Sequence, residues 1–227
     1  MSGTRSSGLL ALGGIALAAV LAVVGHLEVN DNLNPWSLTV SDFAVSDRGG
    51  VIDAAMAVLA AATIVLLPAL RRAGAGRLAG ALLVAWSAGL MAAAVVPTNE
   101  PGLPMDAAAY VHRYASVVAF LALPVAGWLV ARRLGGRAAG WVRGLVLTSL
   151  VLAAAMVWSA YPGDRVLIGL AERLLILAEV ALLAVVAGTL LRREIGEVAV
   201  PRLREHPHLA ELAAAAQDRE LTPARGA

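Results

Sequence analysis

The sequence predicts an all-α polytopic membrane protein whose six transmembrane helices form three hairpins in one bundle. Of the 227 residues, 59% are hydrophobic and only 15% are charged, whereas about a quarter of the residues in a soluble domain are charged. Six apolar stretches are also long enough to cross about 30 Å of hydrocarbon, for which a helix needs about 20 residues. Because hydrocarbon offers the backbone no hydrogen bonds, these crossing segments must be helical.

Each of the six predicted helices ends at a turn or at charged residues. The predicted spans are about 8–25, 51–70, 78–96, 108–131, 138–160 and 166–191. Arginine pairs follow the second, fourth and sixth spans, and prolines follow the third and fifth. Arg5 before the first span is also typical of a cleaved signal peptide, but the apolar run of roughly 17 residues exceeds a signal core of about 7–15. We therefore expect the first span to remain as an anchor.

The arginines predict the orientation in the membrane. Fourteen of the 18 basic residues lie on one side of the spans, and the other four are Arg48, Arg113, Arg165 and Arg173. Since basic residues accumulate in cytoplasmic loops, we expect a multi-pass protein of the cell membrane with both termini in the cytoplasm. The same placement accounts for the pI of about 9.6 without a nucleic-acid partner. Residues 1–193 are predicted to form the transmembrane domain, and residues 194–227 a cytoplasmic tail with one short helix.

Polar residues recur with the period of the predicted hairpins. Asp53, His112 and Glu172 follow one another at intervals of 59 and 60 residues, each near the outer end of a returning helix. Equal hairpin lengths explain the recurring arginine pairs, but they do not require a titratable group at this depth. In the outer loops, Asp106 stands where the N-cap of the fourth helix belongs. Residues 37–43 (SLTVSDF) alternate weakly like a strand, and a short capping turn fits them equally well.

Several short motifs resemble a bacterial membrane family catalogued as domain of unknown function 998. They are VSDFAVSDRGG, VVPTNEPG followed by AAYVHRY, and GLAERLLIL. Family members carry a Ser-Asp-aromatic element in an outer loop, a Pro-Thr end to the third helix, an early histidine in the fourth, and a Gly-x-x-Glu-Arg opening of the sixth. These elements map to Ser41, Asp42, Phe43, Pro97, Thr98, His112, Gly169, Glu172 and Arg173. Val96 replaces the usual aromatic residue, and the tail is long. The resemblance covers about residues 8–191 and implies a six-helix inner-membrane fold without an activity.

Charged side chains in the predicted outer half are the candidate functional residues. An ionised carboxylate at the membrane centre costs at least ~2.5 kcal/mol, so these groups should meet one another inside the bundle. We expect them to line an outward-facing pocket for a lipid or other amphiphilic small molecule, or else to form a polar clamp between helices. The pocket candidates are Asp42, Asp53, His112, Arg113, Glu172 and Arg173. Glu179, two turns beyond Glu172, is predicted to be an intramembrane proton or polar site.

Two other functions are compatible with the same residues. A membrane-embedded hydrolase would use His112 with Ser41 and Asp42 as a catalytic triad. A proton-coupled small-molecule carrier would use Glu179, although no span shows the paired helix breaks typical of carriers.

Several kinds of chemistry are excluded by the residues that the chain lacks. It has no cysteine, no lysine for a Schiff base and no phosphate-binding glycine loop. Its histidines do not follow the spacing of a zinc site. The sequence thus predicts neither metal nor cofactor, and it favours a function other than catalysis.

Overall fold

The structure is a computed structural model that describes residues 3–27, 33–45, 49–100 and 102–205. The described residues form seven helices and no strand. These are α1 (Gly3–Leu27), α2 (Val40–Ala44), α3 (Gly49–Arg72), α4 (Arg77–Val95), α5 (Ala107–Leu134), α6 (Gly136–Ala160) and α7 (Ile168–Glu205). All except α2 contain a segment long and apolar enough to cross a membrane. The prediction of an all-α protein with six membrane-spanning helices is confirmed.

Capping and turn residues mark the ends of several helices. Asp106 is the N-cap of α5 and accepts a hydrogen bond from the backbone N–H of Ala109 at 2.8 Å, as its position predicted. Gly135 stands between α5 and α6 with a φ of 69°. Only glycine adopts this left-handed conformation without a steric penalty, and it allows the chain to reverse at once into α6.

The six long helices form a closed ring. Each packs against the next along the chain, and α1 packs against α7. The short α2 lies against α3 and α7 at one end of the ring, which we call the α2 end. The opposite end carries the arginine pairs, and we call it the arginine-rich end. The long helices pack both within the three predicted hairpins and between them, and the hairpin arrangement stays a prediction. The cytoplasmic position of the termini also stays a prediction.

Aliphatic side chains fill the middle of the ring and its arginine-rich half. Gly127 brings α5 close to its neighbours, since an added Cβ would lie 2.8 Å from Leu182 of α7 and 3.1 Å from Val146 of α6. Leu66, Leu123 and Leu182 are buried beside this contact. They help to line a cavity of only about 10 Å³. This half of the bundle is therefore closed by hydrocarbon side chains.

Helix α7 is longer than its predicted span. Its backbone remains helical beyond Arg193 as far as Glu205. A guanidinium nitrogen of Arg193 donates to the carbonyl oxygen of Leu134, the last residue of α5. The last carbonyls of a helix have no partner within it, so this bond ties the ends of α5 and α7 together. The short helix predicted after Pro207 lies outside the described residues, and the division of the chain at residue 193 stays a prediction.

Candidate functional site

Two of the motifs that were noted separately in the sequence contact each other. The chain from residue 33 to 45, which we call segment 33–45 and which includes α2, lies on the first turn of α7. The carbonyl oxygen of Trp36 accepts from the backbone N–H of Gly169 at 2.9 Å. A Cβ on Gly169 would lie 2.5 Å from the carbonyl oxygen of Pro35 and nearer still to that of Leu38. Glycine is therefore required at position 169 because backbone occupies the space of a side chain.

Glu172 joins α7 to the beginning of α2. Its side chain is 4% exposed, and Oε2 accepts from the backbone N–H of Val40 at 2.5 Å. Val40 is the first residue of α2, and the first N–H groups of a helix have no acceptor within it. A carboxylate at this position also interacts favourably with the positive end of the helix dipole. The carboxyl group of Glu172 thus has a direct structural role.

Arg173 holds the backbone of segment 33–45. Nη1 donates to the carbonyl oxygens of Pro35 at 2.8 Å and Leu38 at 2.7 Å, and also to Gly169 at 3.0 Å. Its guanidinium carbon lies 4.6 Å from the ring centroid of Phe43, a cation–π contact. The other terminal nitrogen, Nη2, is buried and has no hydrogen-bond partner. We call Gly169, Glu172 and Arg173 together the α7 clamp.

Phe43 is the apolar anchor of segment 33–45. It is 2% exposed, and its ring stacks on that of His26 at the end of α1, with 5.1 Å between centroids. Sequence reasoning noted Phe43 only as part of a motif and did not assign His26 to the site. No regular spacing in the sequence connects these two residues, since His26 lies at the end of the long α1 and Phe43 lies in the short α2.

Asp42 stabilises α2 from within. Oδ2 accepts from the backbone N–H of Thr39 at 2.7 Å, and the Thr39 hydroxyl accepts from the N–H of Asp42 at 3.2 Å. This reciprocal pair is a capping box. Asp42 also forms a salt bridge of 3.3 Å with Arg165, and its charge interacts with Glu172 and Arg173. Of the two alternatives for residues 37–43, the capping turn is confirmed and the strand is wrong.

His112 and Asp53 form a second group. His112 is 5% exposed, and Nδ1 lies 2.8 Å from the carbonyl oxygen of Val96. Because a carbonyl oxygen only accepts, Nδ1 carries the hydrogen. Val96 is the C-cap of α4, so the imidazole ties the start of α5 to the end of α4. Asp53 is half-buried in α3 and close enough to His112 for their charges to interact.

The structure brings the six pocket candidates together only in part. Asp42, Glu172 and Arg173 meet at segment 33–45, whereas Asp53 and His112 are close enough for their charges to interact. Among the described side chains, no hydrogen bond or ion pair connects these two groups. Arg113 is exposed on α5 and contributes to neither.

Glu179 lies deeper, at the centre of the bundle. It is 4% exposed, and Oε2 accepts from the indole N–H of Trp86 on α4 at 3.3 Å. Its other oxygen, Oε1, is buried without a hydrogen-bond partner, and so is the hydroxyl of Ser87. The described residues contain no group of three or more His, Asp or Glu side chains placed to hold a metal ion.

A larger cavity lies at the arginine-rich end, away from all of these candidates. Its volume is about 380 Å³. It is lined by Gly76, Leu78, Ala79, Leu129, Arg132 and Arg133. Any experiment on ligand binding must therefore distinguish the two ends of the bundle.

Comparison with known proteins gives one match, which covers most of the chain. A family model described as "Protein of unknown function (DUF998)" matches residues 11–189. The chain belongs to this family. The matched range of the DUF998 chain includes segment 33–45, the α7 clamp, the His112–Asp53 pair and Glu179. No curated protein and no solved structure matches the chain. The described part of the chain has six apolar helices long enough to cross a membrane, and the description of the family assigns no activity.

Proposed function

We propose that this DUF998 protein binds an amphiphile through its headgroup at the α2 end of the bundle. The observation that carries the proposal is the buried Nη2 of Arg173, which has no hydrogen-bond partner. A buried charged donor without an acceptor costs free energy, on the order of 1–3 kcal/mol or more. An anionic oxygen of a bound headgroup is the partner that a guanidinium nitrogen prefers.

The surrounding charges favour a headgroup that is zwitterionic. Two acids, Asp42 and Glu172, face two guanidinium groups, Arg165 and Arg173, within one electrostatic network. The formal charges of these four side chains cancel before a ligand binds. A purely anionic headgroup would be attracted by Arg173 and repelled by both carboxylates. A zwitterionic phospholipid headgroup has a phosphate, which the guanidinium groups attract, and an ammonium group, which the carboxylates attract. This is the class of amphiphile that we propose.

Segment 33–45 is suited to act as the cover of such a site. Its contacts with α7 include hydrogen bonds to Gly169, Leu170, Glu172 and Arg173. Each hydrogen bond to a charged group contributes about 1.5–3 kcal/mol, and a polar headgroup or water can take the place of the partner that is lost. Phe43 is its fully buried large apolar side chain, so lifting the segment would expose this ring at a cost of about 1.5–3 kcal/mol.

The geometry gives less support to the two alternatives. In the described residues, no serine hydroxyl bonds to the imidazole of His112; Ser116 donates to its backbone oxygen instead. A hydrolase would need a nucleophile on that ring. A carrier would need a polar path from Glu179 towards the arginine-rich end. Leu66, Leu123 and Leu182 fill that half of the bundle in this conformation.

Native mass spectrometry of the protein released from vesicles of mixed phosphatidylethanolamine and phosphatidylglycerol tests the proposal. We expect wild-type protein to retain phosphatidylethanolamine preferentially and Arg173→Gln to lose that retention. The double variant Arg132→Gln/Arg133→Gln, which alters the cavity at the other end, is the matched control and should retain the lipid. Retention by Arg173→Gln equal to wild type, or loss only in the double variant, would contradict the proposal.

A second measurement separates loss of the ligand from loss of the fold. In detergent, added phosphatidylethanolamine should slow amide hydrogen exchange of segment 33–45 in the wild-type protein. Phosphatidylglycerol at the same concentration should slow it less. Equal exchange rates with and without phosphatidylethanolamine would count against a headgroup site beneath this segment, whatever the stability of the variants.

A further inference from the structure

The carboxyl group of Glu179 has an unusual position for an acid. With a rise of 1.5 Å per residue from Ile168, it lies about 16 Å along α7, near the middle of a hydrocarbon layer about 30 Å thick. It is 4% exposed and faces the interior of the bundle. Ionisable groups at this depth are rare and commonly mark sites where protons or ions bind.

No basic side chain compensates a negative charge on Glu179. Trp86 provides its one hydrogen bond among the described residues, and no ion pair involves it. The other titratable and charged groups on the packed helices lie towards the helix ends. Among the side chains that the structure describes, they are His26 (α1), Asp42 (α2), Asp53, Arg71 and Arg72 (α3), Arg77 (α4), Tyr110, His112, Arg113, Tyr114, Arg132 and Arg133 (α5), Arg137 and Arg143 (α6), and Glu172, Arg173, Arg192 and Arg193 (α7).

The hydrogen bond from Trp86 indicates which ligand the carboxyl group takes. An indole N–H only donates, so Oε2 is occupied as an acceptor and faces a positive dipole. A metal cation at this point would be repelled by the indole hydrogen and would find few oxygen ligands. A proton on Oε1 needs no further ligands and leaves Oε2 to accept from Trp86.

We propose that Glu179 is a proton-binding site at the centre of the bundle, held as a neutral acid with the proton on Oε1 and Oε2 bonded to Trp86. The hydroxyl of Ser87, adjacent to Trp86 on α4, is buried and unpartnered like Oε1.

The site exchanges its proton towards the α2 end. On the other side, Leu182 and Leu183 follow Glu179 by one turn and line the cavity of about 10 Å³ with other aliphatic side chains and Thr63. The Thr63 hydroxyl donates to the carbonyl oxygen of Leu59 within α3. A cavity of this size holds at most about one water molecule, and apolar cavities stay dry. A proton has no polar route through that half of the bundle in this conformation.

Infrared difference spectroscopy in lipid vesicles at neutral pH tests this proposal directly. The spectrum of wild type minus Glu179→Gln should contain one C=O stretching band of a protonated carboxylic acid. That band should shift when glutamate is labelled with ¹³C, which assigns it to a glutamate and not to an aspartate. If the variant instead loses the pair of stretching bands of a carboxylate, the site is ionised and the proposal is wrong.

Two further variants provide controls for the assignment. Trp86→Phe removes the donor, so the C=O band should persist and move to higher frequency; an unmoved band would contradict the bond to Oε2. Glu172→Gln changes a carboxyl group on the same face of α7, two turns away, and should leave the Glu179 band in place. Loss of that band in Glu172→Gln would overturn the assignment. Glutamine is nearly isosteric with glutamate, which favours a folded protein in both cases.

This inference is independent of headgroup binding. Arg173→Gln should abolish lipid retention and leave the infrared band unchanged. Glu179→Gln should abolish the band and leave lipid retention unchanged. Each proposal can therefore fail while the other stands.

Discussion

A single methyl group added at Gly169 tests the contact between α7 and segment 33–45. In Gly169→Ala, the new Cβ would meet the carbonyl oxygens of Pro35 and Leu38. These are backbone atoms, so the segment must move away rather than rotate a side chain. We expect the free energy of local opening of segment 33–45, measured by amide hydrogen exchange, to fall by about 1–3 kcal/mol, as for other overpacked sites.

Gly188→Ala is the matched control for this prediction. Gly188 lies on the same helix, and nothing lies within 4 Å of the position where its Cβ would be. Alanine is favoured over glycine within a helix by roughly 1 kcal/mol, so this variant should be neutral or slightly more stable. Equal rates of amide hydrogen exchange in segment 33–45 of the two variants would show that the backbone of this segment does not lie against residue 169.

At the scale of the element, α2 depends on its cap because five residues are too few to form a stable helix alone. In Asp42→Ala, the backbone N–H of Thr39 loses its acceptor and Arg165 loses its partner. The cap contributes about 1 kcal/mol. The exposed salt bridge adds at most about the same amount. We expect hydrogen exchange of residues 40–44 to accelerate by roughly fivefold to thirtyfold, since 1.4 kcal/mol corresponds to a factor of ten.

Asp106→Ala is a control with the same chemistry at another helix. Asp106 caps α5 by accepting from the backbone N–H of Ala109, a residue of α5 and not of α2. Its removal should accelerate exchange at the first turn of α5 and leave residues 40–44 unchanged. Similar acceleration of residues 40–44 in both variants would mean that α2 responds to general loosening of the bundle and not to its own cap.

At the scale of the whole molecule, the sequence predicted the helices well because each span depends on local composition. The length of an apolar stretch and the arginines or prolines that flank it can be read from consecutive residues, so all six spans could be identified. The contact of Glu172 with Val40 connects residues 132 positions apart, and no periodicity in the sequence reports it. The packing of segment 33–45 on α7 was therefore not predictable, although both of its motifs had been noted.

The recurring polar residues show where a pattern in the sequence stops being informative. The period of about sixty residues placed Asp53, His112 and Glu172 at a similar depth, and Asp53 does interact with His112. Glu172 faces α2 instead, because its direction depends on the rotation of α7 and on a loop that the period does not describe. The depth of a residue in the membrane follows from its position along the helix, whereas the direction of its side chain depends on how the helices pack.

The orientation of the whole bundle can be measured with single cysteines, because the chain contains none. Leu103→Cys places a thiol in the exposed loop between α4 and α5, and Ala75→Cys places one in the loop between α3 and α4. Since arginines accumulate on the cytoplasmic side, a membrane-impermeant maleimide should label Leu103→Cys in intact cells and Ala75→Cys only after the cells are broken. The cysteine-free parent should remain unlabelled. The reverse pattern would invert the predicted orientation, and labelling of both positions in intact cells would contradict a membrane crossing by α4.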